Sequence, residues 1–237
     1  MKIFKYLLML SLLCVHSGIM ADPKTTEYYP DYYENEGGLF FKVRAFYSPA
    51  KLKNENLPAP TKANAKKPSV NLVTGGVGFD TSTAFFFSDN FATELSLGLV
   101  YYRTKKSALN AIFDSYGVGT KPNTRIKNIY NIPASVTLQY HVAPYGGIRP
   151  YVGGGYHGTY VYSSSKQFKI KNGHGPVLQG GVDFVARDDT TITLDVRQFW
   201  LKSRINYKSS FLNTLADIRS KAKWNPLLIS LGIGFRF

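Results

Sequence analysis

The sequence lacks several features on which common classes of protein site depend. Cys14 is the only cysteine among the 237 residues, so neither a disulfide framework nor a cysteine-based zinc site can form. His141, His157 and His174 do not have the spacing of a metal motif such as H-x-x-x-H, and we expect no metal ion and no cofactor. Beyond the N-terminus, no apolar run reaches the roughly 20 residues that a membrane-spanning helix needs.

The first 21 residues have the layout of a secretory signal peptide. Lys2 and Lys5 lie at the start, an apolar stretch covers residues 6–15, and Ala21 is a small residue at the expected cleavage site. The apolar stretch is too short for a membrane anchor, and Leu13 before Cys14 does not fit lipoprotein processing. We therefore predict export with cleavage after Ala21. Residues 22–37 are acidic and rich in tyrosine, and we expect them to form a periplasmic tail.

From residue 38 to residue 237 the apolar residues recur with a period of two, which predicts β-strands. Five clear segments and three weaker ones, at 38–47, 70–87 and 151–163, give eight strands. An even number of antiparallel strands, with short turns at one end and long loops at the other, predicts an all-β, eight-stranded up-and-down transmembrane barrel. The short turns lie at 88–90, 144–150 and 187–189, and the long loops at about 48–69, 104–128, 164–174 and 206–222.

The alternation by itself does not decide which face of the barrel is apolar, because a soluble lipocalin-like barrel buries its apolar face inside. Three features favour lipid on the outside: the predicted export, the absence of charge on the apolar face of the five clearest strands, and the terminal aromatic Phe237. A C-terminal phenylalanine is typical of the signal that the barrel assembly machinery recognises, so that machinery is an expected partner.

With lipid outside, the polar face of each strand lines the lumen. The lumen-lining residues are then Lys42, Arg44, Asp80, Glu94, Gln139, His141, Asp183, Asp195, Arg197 and Arg236. Eight strands enclose little more than their own side chains, and charges buried there are tolerable only when paired. A structural salt-bridge network is the simpler interpretation, and a gated polar path is the alternative. His141 shares its face with Ser135 and Thr137, but no motif joins them to a base and a carboxylate, so we do not expect an enzyme.

The net positive charge of the chain and the positions of its tyrosines indicate what surrounds the barrel. Lys and Arg outnumber Asp and Glu by 29 to 15, and most of the excess falls in the long loops. We expect these loops to face the phosphates of the outer leaflet, so membrane lipid and lipopolysaccharide are predicted partners and nucleic acid is not. Five tyrosines near strand ends are expected to form interfacial girdles: Tyr101, Tyr102, Tyr140, Tyr151 and Tyr162.

Four stretches together resemble the outer-membrane protein W (OmpW) family: residues 133–140 (PASVTLQY), 149–156 (RPYVGGGY), 180–184 (GGVDF) and 225–237 (NPLLISLGIGFRF). The resemblance covers about residues 38–237. It implies an outer-membrane barrel that acts as a narrow passive channel for small, hydrophobic molecules, with release into the bilayer. The alternative is a non-conducting surface barrel that acts in adhesion or envelope integrity through its basic extracellular loops.

Overall fold

The computed structural model describes residues 38–49, 52–55, 71, 73–105, 107, 110, 129–142, 147–163, 168–187, 189–207 and 218–237. The predicted signal peptide and acidic tail lie outside these residues, as does most of the length of the long loops. The described strands are β1 (Leu39–Ser48), β2 (Leu52–Glu55), β3 (Val73–Phe86), β4 (Phe91–Thr104), β5 (Ile129–His141), β6 (Ile148–Ser163), β7 (Phe168–Ile170), β8 (Gly173–Arg187), β9 (Thr190–Phe199), β10 (Leu201–Tyr207), β11 (Ile218–Trp224) and β12 (Leu227–Arg236).

Eight of these strands form a closed ring in which every neighbouring pair is antiparallel. The order around the ring is β1, β3, β4, β5, β6, β8, β9 and β12, and β12 returns to pair with β1. Closure therefore leaves no edge in this ring. The predicted eight-stranded antiparallel barrel is confirmed. No helix in the described part of the chain has the length and apolar character needed to cross a bilayer.

On one side, the sheet continues beyond the ring at the loop end. β9 passes through Trp200 into β10, and β11 passes through Asn225 and Pro226 into β12. β10 pairs with β11 from Leu201 to Tyr207, and the short strands β7 and β2 add to their outer edges. In the sequence, Ile218, Ala222 and Trp224 alternate with charged residues, which is the period of a strand, and β11 covers this segment. Asn225 and Pro226 separate β11 from β12.

The outer wall of the ring is apolar. Aromatic side chains are exposed at the turn end (Phe85, Phe87, Phe91, Tyr140, Phe235 and Phe237) and at the loop end (Tyr47, Tyr130, Tyr156, Tyr160, Tyr162 and Trp200). Aliphatic side chains fill the band between them (Val43, Val77, Leu99, Val136, Leu138, Val152, Leu178, Ile192, Leu194, Val196, Ile229, Leu231 and Ile233). An apolar band between two aromatic girdles is the surface that a transmembrane barrel presents to lipid. The apolar face points outward, as predicted.

Two of the predicted girdle tyrosines do not lie on this surface. Tyr102 and Tyr151 are 0% and 2% exposed, because each falls on the inward phase of its strand. The ring of Tyr102 packs edge-on against Trp224 with 5.0 Å between centroids, and the hydroxyl of Tyr151 donates to Asp195. The prediction that these two tyrosines mark the membrane interfaces is therefore wrong, and their rings fill the interior instead.

Candidate functional site: the interior of the barrel

The structure places nine of the ten predicted lumen residues in the interior, where each is at most 5% exposed. They are Lys42, Arg44, Asp80, Glu94, Gln139, His141, Asp183, Asp195 and Arg197. Arg236 lies half-buried at the turn end, with its guanidinium carbon 5.9 Å from the centroid of the Phe40 ring. The inward face is polar and charged over the middle of the barrel because alternate residues of each strand share that face.

Two arginines and three carboxylates form a continuous chain across the middle of the interior. Arg44 Nε donates to Asp80 Oδ1 and Arg44 Nη2 to Glu94 Oε1, both at 2.8 Å. Arg197 Nη2 donates to Asp80 Oδ2 at 2.6 Å, and Arg197 Nε to Asp195 Oδ1 at 2.7 Å. Asp80 thus lies between two guanidinium groups. This alternation of sign satisfies each buried charge, which would otherwise carry a large desolvation cost.

Neutral side chains complete the hydrogen bonds of these carboxylates. Gln179 Nε2 donates to Asp195 Oδ2 at 2.8 Å and to Glu94 Oε1 at 3.3 Å, and Gln139 Nε2 donates to Glu94 Oε2 at 3.0 Å. The hydroxyl of Tyr151 donates to Asp195 Oδ2 at 2.8 Å. Sequence reasoning omitted Gln179 and Tyr151 from the lumen set. Gln179 occupies an inward-facing position of β8, and Tyr151 occupies one of β6, so the alternation along each strand could have identified both.

A second ion pair lies closer to the turn end. Lys42 Nζ donates to both oxygens of Asp183, at 2.9 and 2.7 Å, and Thr193 donates its hydroxyl to the same carboxylate at 2.6 Å. The ammonium group also lies 4.8 Å from the centroid of the Tyr151 ring. Together with the arginine–carboxylate chain, this pair occupies the middle of the interior and the side of it towards the turn end. We term the seven charged residues the polar plug: Lys42, Arg44, Asp80, Glu94, Asp183, Asp195 and Arg197.

Above the polar plug, towards the loop end, the interior becomes largely apolar. A chamber there is lined by Val100, Tyr102, Asn131, Pro133, His157, Thr159, Phe199, Leu201, Pro226 and Leu228. The polar side chains of this lining contact other lining residues. Thr159 donates a hydrogen bond to Asn131, and the His157 ring packs edge-on against Phe199. The free space among these side chains is close to the size of one water molecule. We term this region the upper chamber.

The wall beside the upper chamber contains a gap in strand pairing. β4 and β5 pair at Leu97 with Ala134 and again at Val100 with Asn131, but Gly98 and Leu99 are not paired with Pro133 and Ile132. Proline has no N–H and cannot donate to a ladder. We term these four residues the β4–β5 seam. Because Pro133 belongs to both the seam and the chamber lining, the apolar part of the interior adjoins the part of the wall where these two pairs are missing.

The other chemical features of the described interior are limited. No group of three or more His, Cys, Asp or Glu side chains in the described ranges is arranged to hold a metal ion. His141 Nε2 lies 3.0 Å from Gln139 Oε1, and its ring stacks on Tyr151 with 4.9 Å between centroids. These contacts give His141 a place in the packing of the polar plug.

Comparison with known proteins agrees with this architecture. A sequence model of the OmpW family matches residues 35–237. This chain belongs to the OmpW family. An outer membrane protein of Rickettsia bellii is 50% identical over 206 residues, which are 87% of this chain and 83% of the relative. The OmpW-family barrel described here is accordingly a protein of the outer membrane.

Two further comparisons extend the likeness. The crystal structure of the outer membrane protein OprG from Pseudomonas aeruginosa has the same fold, with a TM-score of 0.61 and 14% identity, over 87% of this chain and 98% of OprG. A second relative, PahQ of Pseudomonas aeruginosa, is named as a protein of the dibenzothiophene metabolism operon. It is 28% identical over 125 residues, which are 51% of this chain and 57% of PahQ.

Proposed function

We propose that this OmpW-family barrel is a passive conduit that takes small apolar molecules from outside the cell into the outer membrane. The observation that carries the proposal is the order of the two interior regions, with an apolar chamber directly above a fully paired polar plug. A solute that enters from the loop end first contacts the apolar side chains of the upper chamber and then reaches the charged side chains of the polar plug. The conduit therefore leads from the upper chamber sideways, through the β4–β5 seam, into the bilayer.

The polar plug argues against a straight path to the periplasm. A solute passing through it would have to separate guanidinium and carboxylate groups that lie 2.6 to 2.8 Å apart and are almost completely buried. Leaving one of these charges buried without its partner costs about 3–5 kcal/mol. An apolar solute offers no hydrogen bonds in return. Movement from the apolar chamber into lipid avoids that cost, because the solute stays in apolar surroundings throughout.

The upper chamber has to widen before a solute can enter. Its free space is near that of a single water, so the rings of Tyr102 and Phe199 and the side chain of Leu201 must move aside. Binding there would be dominated by apolar contact, as in most small-molecule sites. The name of PahQ connects one relative to the metabolism of dibenzothiophene, an apolar aromatic compound, and this supports the same class of solute.

The test is uptake of an apolar fluorescent probe, N-phenylnaphthylamine, by cells that lack the protein and by cells complemented with variants. Pro133→Val supplies the N–H that the seam lacks, and we expect it to lower uptake several-fold. Pro150→Val, the same change in β6 near the turn end, is the matched control and should leave uptake unchanged. Membrane levels and heat-dependent gel mobility establish that both variants are folded.

Equal uptake with and without the wild-type protein would contradict the conduit. The closed polar plug would then favour the alternative, a non-conducting surface barrel that acts in adhesion or envelope integrity through its loops. Adhesion that is lost on shortening of the long loops would support that alternative. High ion conductance of the wild type in planar bilayers would contradict both functions, because the polar plug blocks an aqueous path in each of them.

A further inference from the structure

The outer wall carries basic side chains just beyond the upper aromatic girdle. Lys202 and Arg204 are exposed and alternate along β10 with the buried residues Leu201, Ser203 and Ile205, so both project outward. Lys171 is also exposed. It lies next to Arg204, because the Lys171 backbone N–H donates to the Arg204 carbonyl at 2.9 Å. The three cations therefore lie on one face. We term Lys171, Lys202 and Arg204 the basic wall.

The height of the basic wall matches the headgroup region of the outer leaflet. On the same chain segment Trp200, 37% exposed, belongs to the upper girdle. Lys202 follows two residues later, about 7 Å further along an extended strand. Next to it on β8 is His174, which is the register partner of Lys202 and lies 2.5 Å, through Nδ1, from the hydroxyl of Tyr156. Below this level the wall is apolar, and above it the wall is polar.

The charge of this face is positive across neighbouring strands. Arg204 lies opposite Lys221 of β11, which is also exposed, and Glu55 of β2 lies opposite Lys221. No acidic side chain described by the structure lies on the basic wall. Apart from Glu55 on β2, which lies two strands away from β10, four of the described acidic residues belong to the polar plug, and two, Asp89 and Asp189, are at the turn end.

We propose that the basic wall binds the phosphate groups of a phosphorylated glycolipid of the outer leaflet, such as lipid A. Arginine offers paired donors that match phosphate oxygens, and lysine adds a compact charge. Cross-strand neighbours on one face are about 5 Å apart, a spacing that lets two side chains reach one phosphate group. The acyl chains of such a lipid would lie along the apolar band below. This site is on the outside of the barrel and is independent of the proposed conduit.

The experiment uses the folded protein in phosphatidylcholine vesicles, titrated with bisphosphorylated lipid A and with its dephosphorylated form. Trp200 is the reporter, since it adjoins the basic wall and the other tryptophan, Trp224, is buried. We compare the wild type with Lys202→Gln/Arg204→Gln. The matched control is Arg103→Gln/Lys105→Gln, which removes the same charge from the end of β4. Lys202→Arg/Arg204→Lys keeps both charges.

We expect the wild type to prefer the phosphorylated lipid. Each cation near an anionic surface contributes about fivefold to binding, so Lys202→Gln/Arg204→Gln should weaken it about 30-fold. The control and the charge-keeping variant should bind within about twofold to threefold of the wild type. Equal binding of both lipid forms by the wild type would overturn the proposal. An equal loss in the Arg103/Lys105 control would also overturn it, because that result would indicate general charge attraction. Displacement of the lipid by millimolar inorganic phosphate would overturn it as well, because that result would indicate a simple anion site.

Discussion

Replacing Lys42 by methionine should destabilise the barrel more than any single change on its outer wall. Lys42 is 1% exposed and donates to both oxygens of Asp183. Two unit charges about 4 Å apart interact by about 4 kcal/mol at an effective dielectric constant near 20. Loss of one partner from a buried pair generally costs about 3–5 kcal/mol. We therefore expect Lys42→Met to lower the free energy of unfolding by about 3–5 kcal/mol.

A second substitution separates the lost attraction from the stranded charge. Asp183→Asn removes the negative charge but keeps an oxygen that can accept the hydrogen bond from Thr193, which is 2.6 Å long. In the double variant Lys42→Met/Asp183→Asn no uncompensated charge stays buried, so most of the lost stability should return. Lys202→Met is the control for the change of side chain. It lies on the exposed outer wall and should shift stability by about 0.5 kcal/mol or less.

The assay is an equilibrium urea titration of the protein in phospholipid vesicles, followed by tryptophan fluorescence and by gel mobility without boiling. A loss below about 1 kcal/mol for Lys42→Met would refute the reasoning. It would mean that water reaches Asp183 in the variant and that the interior is hydrated. The sealed polar plug, on which the proposed sideways conduit depends, would then be incorrect, and planar bilayers should show ion conductance.

Three further predictions concern assembly and processing. Gly155→Ala should prevent correct folding, because a Cβ there would come 1.9 Å from the Val136 carbonyl oxygen. A Cβ at Gly158 would have no atom within 4 Å, so the control Gly158→Ala should run on gels like the wild type. Phe237→Ser should lower the amount of barrel in the outer membrane of cells. It should change stability in vesicles by only about 1 kcal/mol, because Phe237 lies in the interfacial girdle and its backbone hydrogen bonds with Leu39 are kept. Wild-type levels in cells would argue against recognition of this residue by the assembly machinery. Mass spectrometry of the protein from the outer membrane should find Asp22 as the first residue, and an intact Cys14 would contradict cleavage after Ala21.

The eight strands of the ring and the division of their residues between two faces followed from local chemistry, and the predicted export and the uncharged apolar face indicated which face meets lipid. Along β12, the apolar residues Ile229, Leu231 and Ile233 all lie outside, and Ser230 lies inside, as the period of two requires. The same rule gave the interior position of the charged residues before any contact was known. The prediction for Tyr102 and Tyr151 was wrong because it used their position near a strand end, whereas the phase of each strand places both side chains inside.

The tertiary structure alone decided which inward residues meet. Lys42 and Asp183 are 141 residues apart in the chain, and Asp80 and Arg197 are 117 apart. The cost of burying an unpaired charge predicted pairing but could not assign partners, because register and ring closure fix the distance between strands that are far apart in sequence. The division of the interior into a polar plug and an upper chamber has the same origin. A single strand determines the face on which a side chain lies, and only the closed ring determines the height at which it meets its neighbours.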